Sequence, residues 1–314
     1  MSGFGKVGHK TVLLQEAVEF LVTDPAGFYI DGTFGRGGHS RRIVESLSSA
    51  GKLLAFDRDP EAVEVAEAHF SEEPVFEFVY APFGQMLEEV RKRGWAGRVN
   101  GVLLDLGVSS PQLDQPERGF SFMHDGPLDM RMDTHHGVSA AQWLASASVD
   151  EMISVFRDFG EERYAKRIAG AIDRERQLSA LETTAHLAKI VAEAHPAWEK
   201  GKHPATRVFQ AIRIHINGEL EQLQQVLDQA LEILGEGGRL VVISFHSLED
   251  RMVKQFMRRQ SSVEDDLPAR LPVRATEIRP RMRLVGKAIK ASSQELAENV
   301  RARSAVMRVA EKVY

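Results

Sequence analysis

Phe28-Tyr29-Ile30-Asp31-Gly32-Thr33-Phe34-Gly35-Arg36-Gly37-Gly38-His39-Ser40 joins a short apolar run to a glycine-rich turn, and the turn to a helix carrying Ile43, Val44 and Leu47. Strand, tight turn and helix in that order open a parallel α/β sheet. The rhythm repeats outward from this stretch. Lys52-Leu53-Leu54-Ala55-Phe56-Asp57 reads as a second strand ending in an acid. Pro60 suits the first turn of the next helix, where Ala62, Val63, Ala66 and Phe70 fall at helical spacing. Residues 75–80 read as a third strand, followed by a helix through Met86, Leu87 and Val90. Gly101-Val102-Leu103-Leu104-Asp105-Leu106 is a fourth, apolar enough to be covered on both faces.

Between about residues 111 and 205 no segment reads as a strand. Residues 142–147, 150–159, 161–172 and 183–194 read as helices, the third with Tyr164, Ile168 and Ile172 on one stripe. A further stripe, Ile212, Ile216, Leu220, Leu223, Leu227, Leu231 and Leu234, predicts one long helix closed by Gly235-Glu236-Gly237-Gly238. Arg239-Leu240-Val241-Val242-Ile243-Ser244-Phe245 then restores the buried-strand pattern. The expected organisation is one sheet domain, residues 1–110 and 206–314, interrupted by an all-helical insertion over residues 111–205, within ordinary domain size.

Composition narrows the chemistry. The 314 residues include no cysteine, so disulfides, cysteine-ligated metals and covalent thiolate catalysis are excluded. Hydrophobic residues at 43% and charged residues at 27% are an ordinary globular balance, and no apolar run reaches the length of a membrane span. Met1-Ser2-Gly3-Phe4-Gly5-Lys6 has no apolar secretory core, so a cytoplasmic protein is expected. The net charge of −5 is split between −13 over residues 1–250 and +8 over residues 251–314. Arg279-Pro280-Arg281-Met282-Arg283, Lys287, Lys290, Arg301 and Arg303 in the basic part suit phosphate contacts, and equally a solvated surface.

The turn after the first strand is not G-x-G-x-x-G, and the acid entering it, Asp31, suits a cationic ligand better than a diphosphate. Asp57 closes the second strand 20 residues after Gly37, where a carboxylate can take both hydroxyls of a ribose. Together they point to a nucleoside cofactor with a positive end, such as S-adenosylmethionine; the competing reading is a tight turn and an unrelated acid. Asp105-Leu106-Gly107-Val108-Ser109-Ser110-Pro111-Gln112 follows the fourth strand at the edge where open α/β sheets bind ligands. An acceptor there, aimed at the N–H of a base's exocyclic amine, would help remove its proton; Asp105 is equally compatible with a plain Asx-turn. Gly119-Phe120-Ser121-Phe122 and Asp129-Met130-Arg131-Met132-Asp133 suit either packing or a grip on an extruded nucleotide. His246 and Glu249 read as polar loop residues or substrate contacts, because no second histidine stands at metal-ligand spacing and no metal is expected.

Several of these strings resemble one family. The glycine turn, 105–112, Arg118-Gly119-Phe120-Ser121-Phe122, 125–133, Gly160-Glu161-Glu162-Arg163, His203-Pro204-Ala205-Thr206-Arg207-Val208-Phe209-Gln210 and 243–251 are similar to the bacterial 16S ribosomal RNA (cytosine-N4) methyltransferases. The resemblance runs from about His9 to Arg308. It implies a class I, Rossmann-like methyltransferase sheet with an inserted helical substrate domain. It also implies methyl transfer from S-adenosylmethionine to N4 of a cytidine in the decoding region of 16S rRNA, on the small subunit. Gly37, Gly38 and His39 match the family's cofactor loop, Asp57 its ribose-binding acid, and Phe83, Asp105 and Gln112 its remaining cofactor contacts. This draws Asp105 toward the cofactor and leaves its catalytic role a hypothesis. The sequence departs from the family's usual prolines at Lys10-Thr11, Lys287-Ala288-Ile289 and Asn299-Val300-Arg301.

Three other functions compete. Methylation of DNA amines shares the chemistry, but no D/N-P-P-Y/F string follows the fourth strand. A non-catalytic ribosome-assembly factor would not need the cofactor residues. A nicotinamide oxidoreductase would need a different glycine spacing.

Overall fold

The computed structural model describes residues 10–198, 201, 203–262 and 279–314. The extreme N-terminus, His9 at the start of the family resemblance, and residues 263–278 of the basic C-terminal region lie outside the described residues. The chain divides into two compact units, Met1–Gly107 with Glu221–Tyr314, and Val108–Leu220.

The first unit begins with α1 (Leu14–Leu21), β1 (Phe28–Asp31), α2 (Gly38–Ser46), β2 (Lys52–Asp57), α3 (Pro60–Phe70), β3 (Phe76–Tyr80), α4 (Met86–Lys92) and β4 (Val99–Asp105). The second unit carries α5 (Ser110–Asp114), α6 (Ala140–Ser146), α7 (Val149–Asp158), α8 (Ala165–Arg176), α9 (Thr184–Ala194) and α10 (Ala205–Asn217). The chain then returns through α11 (Glu219–Ile233), β5 (Leu234–Ser244), α12 (Ser247–Ser261), β6 (Met282–Leu284), α13 (Ser293–Glu298) and β7 (Val306–Lys312).

Seven strands form one sheet in the order β3-β2-β1-β4-β5-β7-β6. All neighbours from β3 to β5 pair in parallel, and β7 runs antiparallel to both β5 and β6. Alternation along the strands divides the core by face. Tyr29, Leu53, Ala55, Leu103, Val241 and Ile243 pack with α1, α2 and α3, while Ile30, Leu54, Phe56, Val102, Leu104, Leu240 and Val242 pack with α4, α11 and α12. Both faces are covered, which is why these strands read as continuous apolar runs.

The second unit has a core of its own, in which Trp143, Phe156, Ile168, Leu187, Val191, Val208 and Ile212 pack together. It extends through Leu220, beyond the boundary at 205 that the sequence suggested, because Val208, Phe209, Ala211 and Ile212 of α10 belong to this cluster. The single long helix expected over residues 212–234 is two helices. Gly218, at φ 58, ends α10 in the left-handed conformation that glycine adopts without steric penalty. The glycines at 235–238 do not cap α11 either: Leu234 already pairs with Val99, and the register shifts between Val99 and Gly101. No helix among the described residues is long and apolar enough to cross a membrane.

Candidate active site

The sheet register gathers four acids at its carboxyl edge. Asp31 pairs with Ala55 on one side and Leu103 on the other, so Asp57 and Asp105 each stand two residues further along and share its face. Glu249 joins them from the first turn of α12, just past β5.

Asp31 is fully buried; its Oδ2 accepts from Ser40 Oγ at 2.7 Å and its Oδ1 from the Thr33 N–H at 3.1 Å. Burial raises its pKa to about 6, and the Asp57 charge adds to the rise against those hydrogen bonds. Asp57 Oδ2 accepts from the Gly35 N–H at 2.7 Å and Oδ1 from the Asp59 N–H at 2.9 Å. Burial pushes its carboxyl up as well, against the hydrogen bonds that hold it down. The Arg58 N–H is a third backbone donor to this carboxylate, which as an acceptor-only group suits hydroxyl donors such as a vicinal diol. Gly35 and Gly37 turn the chain at φ 55 and 75, and a Cβ at Gly37 would lie 2.7 Å from the Phe70 ring. The loop thus brings its backbone close to Asp57 where only glycine fits.

Asp105 is the most exceptional of the four. Its backbone N–H donates to Thr33 Oγ1 at 2.7 Å, fixing the end of β4 to the glycine loop. Its Oδ1 is buried and has no hydrogen-bond partner among the described residues. Burial holds its carboxyl well above the ordinary range, reinforced by the charges of Asp31 and Glu249. His39 lies beside it on α2, with Nδ1 3.5 Å from Asp105 Oδ2. The other ring nitrogen, Nε2, donates to the Val12 carbonyl at 3.2 Å, which leaves Nδ1 as a bare acceptor. Burial lowers the His39 pKa to about 4, so the imidazole beside Asp105 is uncharged at neutral pH.

A ligand carrying positive charge and a ribose fits this donor set. The orphaned Oδ1 of Asp105 and the mutually repelling carboxylates favour a cation, and Asp57 favours a diol. The remaining sequence candidates have contacts of their own. Phe83 follows β3 in a short turn and packs against the α4 and α11 side of the sheet. Gln112 belongs to the helical unit, where its Oε1 accepts from the Ser109 N–H at 2.8 Å as part of a capping box on α5.

Two groups escaped a sequence assignment. Thr33 gave no signal, since its role is the single hydroxyl that binds β4. His246 and Glu249 were legible as polar residues after β5, but not as a cap: the Glu249 N–H donates to His246 Nδ1 at 3.4 Å, and Glu249 Oε2 accepts from the Phe245 and His246 N–H groups at 2.8 and 3.2 Å. A histidine in the N-cap position is rare enough that the usual Ser/Thr/Asp/Asn signature misses it.

A mostly parallel sheet in this order, with its one reversed strand at β7 and acids closing β1, β2 and β4, defines a class I S-adenosylmethionine-dependent methyltransferase. The model of the MraW methylase family matches residues 6–313, and the chain belongs to that family. It is therefore an S-adenosylmethionine-dependent rRNA methyltransferase. Solved structures similar to it are distant. A candidate rRNA methylase from Clostridium thermocellum is 11% identical, with 98% of this chain and 99% of that one covered and a TM-score of 0.44. An rRNA methylase from Streptococcus thermophilus is 11% identical over 98% and 100% of the two chains, at a TM-score of 0.41. Fibrillarin from Aeropyrum pernix, with natively bound S-adenosyl-L-methionine, is 8% identical over 94% and 73%, at a TM-score of 0.40.

Proposed function

We infer that this enzyme methylates the N4 amine of a cytidine in the decoding region of 16S rRNA, in the small ribosomal subunit and in the cytoplasm. The observation that carries this reading is Asp105: an unpartnered carboxyl oxygen, buried at the end of β4, at the edge where α/β sheets bind their ligands. S-adenosylmethionine, when bound, supplies the electrophilic methyl group. Asp57 accepts from the ribose hydroxyls, and the loop through Gly37 and Gly38 lets the cofactor lie close to the backbone, with His39 and Phe83 beside it.

An exocyclic amine is a weak nucleophile, because its lone pair is delocalised into the ring. Asp105, an acceptor aimed at one N–H, would favour the pyramidal amine and draw off the proton as the new bond forms. The absence of cysteine supports an amine target over ring carbon 5, whose usual route needs a thiolate. The helical insertion serves as the RNA-facing domain. Arg163, Lys166 and Arg167, on and just before the first turn of α8, are exposed and make no ion pair among the described residues, which suits contact with phosphates.

The test is methyl transfer from labelled S-adenosylmethionine to small subunits lacking the modification, followed by digestion and identification of the nucleoside. N4-methylcytidine is the expected product. A folded protein that binds neither the cofactor nor transfers the label would instead be an assembly factor, and methylation at another atom would overturn the assignment of the amine.

A further inference from the structure

The strand end that holds Asp105 carries a second unsatisfied group. His246 follows β5, which pairs with β4 through Asp105 and Ile243. Its side chain is only 10% exposed, and its Nε2 is buried with no hydrogen-bond partner among the described residues. The cap fixes its tautomer. Nδ1 accepts from the Glu249 N–H, so the ring proton sits on Nε2. Glu249 Oε1 is 3.1 Å from Nε2, but it lies off the line of that N–H and makes no hydrogen bond with it. Glu249 is held instead by the Phe245 and His246 backbone through Oε2. The result is a fixed, buried N–H donor on the strand next to a fixed, buried acceptor. Native proteins rarely leave such groups unpaired without a ligand to satisfy them.

Cytosine presents the complement of that pair: a donor at the N4 amine and, next to it, an acceptor at N3. Uracil presents the reverse, an acceptor at O4 and a donor at N3, and would set acceptor against acceptor and donor against donor. We propose that His246 is a base-reading residue, donating from Nε2–H to the cytosine N3 while Asp105 accepts from the amine. The inference rests on the proposed cytidine target. It adds a reason why the site would take an aminopyrimidine and refuse a uridine in the same backbone position.

The test uses the full-length enzyme and small subunits reconstituted with either cytidine or 3-deazacytidine at the target position, the second lacking the N3 acceptor. His246→Asn keeps a side-chain acceptor suited to the N-cap and removes the Nε2 donor. It is expected to lower kcat/KM on cytidine subunits about 30-fold with the Kd for S-adenosylmethionine unchanged. Wild-type enzyme should slow by a similar factor on 3-deazacytidine, and His246→Asn should not slow further. His246→Gln, which restores an N–H at the distance of Nε2, should recover most of the lost rate. A His246→Asn enzyme as sensitive to 3-deazacytidine as the wild type, or one whose cofactor Kd rises in step with the rate loss, overturns the proposal. If wild-type enzyme makes no N4-methylcytidine on the cytidine subunits, the cytidine reading itself has failed.

Discussion

Asp31 and His39 are both buried at the same strand end, and burial moves them in opposite directions. Asp31 titrates near 6 in the folded protein against 3.8 in the ordinary state. Between those values the native protein holds a proton that the unfolded chain releases, so its contribution to stability falls as pH rises. His39 titrates near 4 against 6.5, and the unfolded chain is the one that binds the extra proton; its contribution rises with pH over nearly the same window. Each of these changes is worth about 3 kcal/mol, so the pair largely cancels in the wild type. Asp31→Asn uncovers it: the urea-unfolding free energy of the wild type minus that of the variant should decline by about 3 kcal/mol from pH 4 to pH 7. A flat difference would place the carboxyl at its ordinary pKa. Asp57 makes a separate prediction. Asp57→Ala removes the carboxyl proposed to accept from the ribose hydroxyls and should raise the Kd for S-adenosylmethionine about 10- to 100-fold by calorimetry, with RNA affinity retained. Unchanged cofactor affinity would rule out its role at the ribose.

At the scale of elements, the helical unit depends on a clamp at the end of α10. Asn217 is buried; its Nδ2 donates to the Met130 carbonyl at 2.8 Å and its Oδ1 accepts from the Met132 N–H at 2.9 Å. Between them Met130 sits at φ 62, a conformation costly for a side chain of its size, and Asp129 and Arg131 pair beside it at 2.7 and 2.8 Å. Asn217→Ala should destabilise the protein by about 2–3 kcal/mol in denaturant titration, because the buried Met130 carbonyl and the half-buried Met132 N–H both lose their side-chain partner. Nothing in the sequence around Asn217 announced this. The parallel strands β1, β2 and β4 were legible because each is buried on both faces and reads as an apolar run. Asp31, Asp57 and Asp105 were legible because an acid at the end of such a run has no place in its core. The clamp was hidden because it joins residues more than eighty positions apart. β7 was hidden for a different reason: Arg308 interrupts its apolar pattern, and only the fold shows that Arg308 is held by Asp250 of α12 at 2.7 and 3.0 Å. β6 is three residues long, and two of them are exposed.

At the scale of the molecule, the two units differ in the charges they carry. The sheet unit concentrates acids at one edge, while the helical unit offers Arg163, Lys166 and Arg167 without acidic partners among the described residues. Replacing all three with alanine should weaken binding to the small subunit, flatten its salt dependence by roughly two in the log–log slope, and leave the cofactor Kd unchanged. An unaltered salt slope would move the RNA contact to another face. The sheet's connectivity also dictates an order of events during synthesis. β1 to β4 are made before the helical unit, but β5, which pairs with β4, and β7, which pairs with β5, are encoded beyond it. That unit is continuous in sequence and carries its own core, so a growing chain can fold it while the first four strands still wait for their neighbours. Glu249 of α12, whose charge acts on Asp105, is encoded after that unit as well, so the fourth acid joins the other three only once the helical unit has been made.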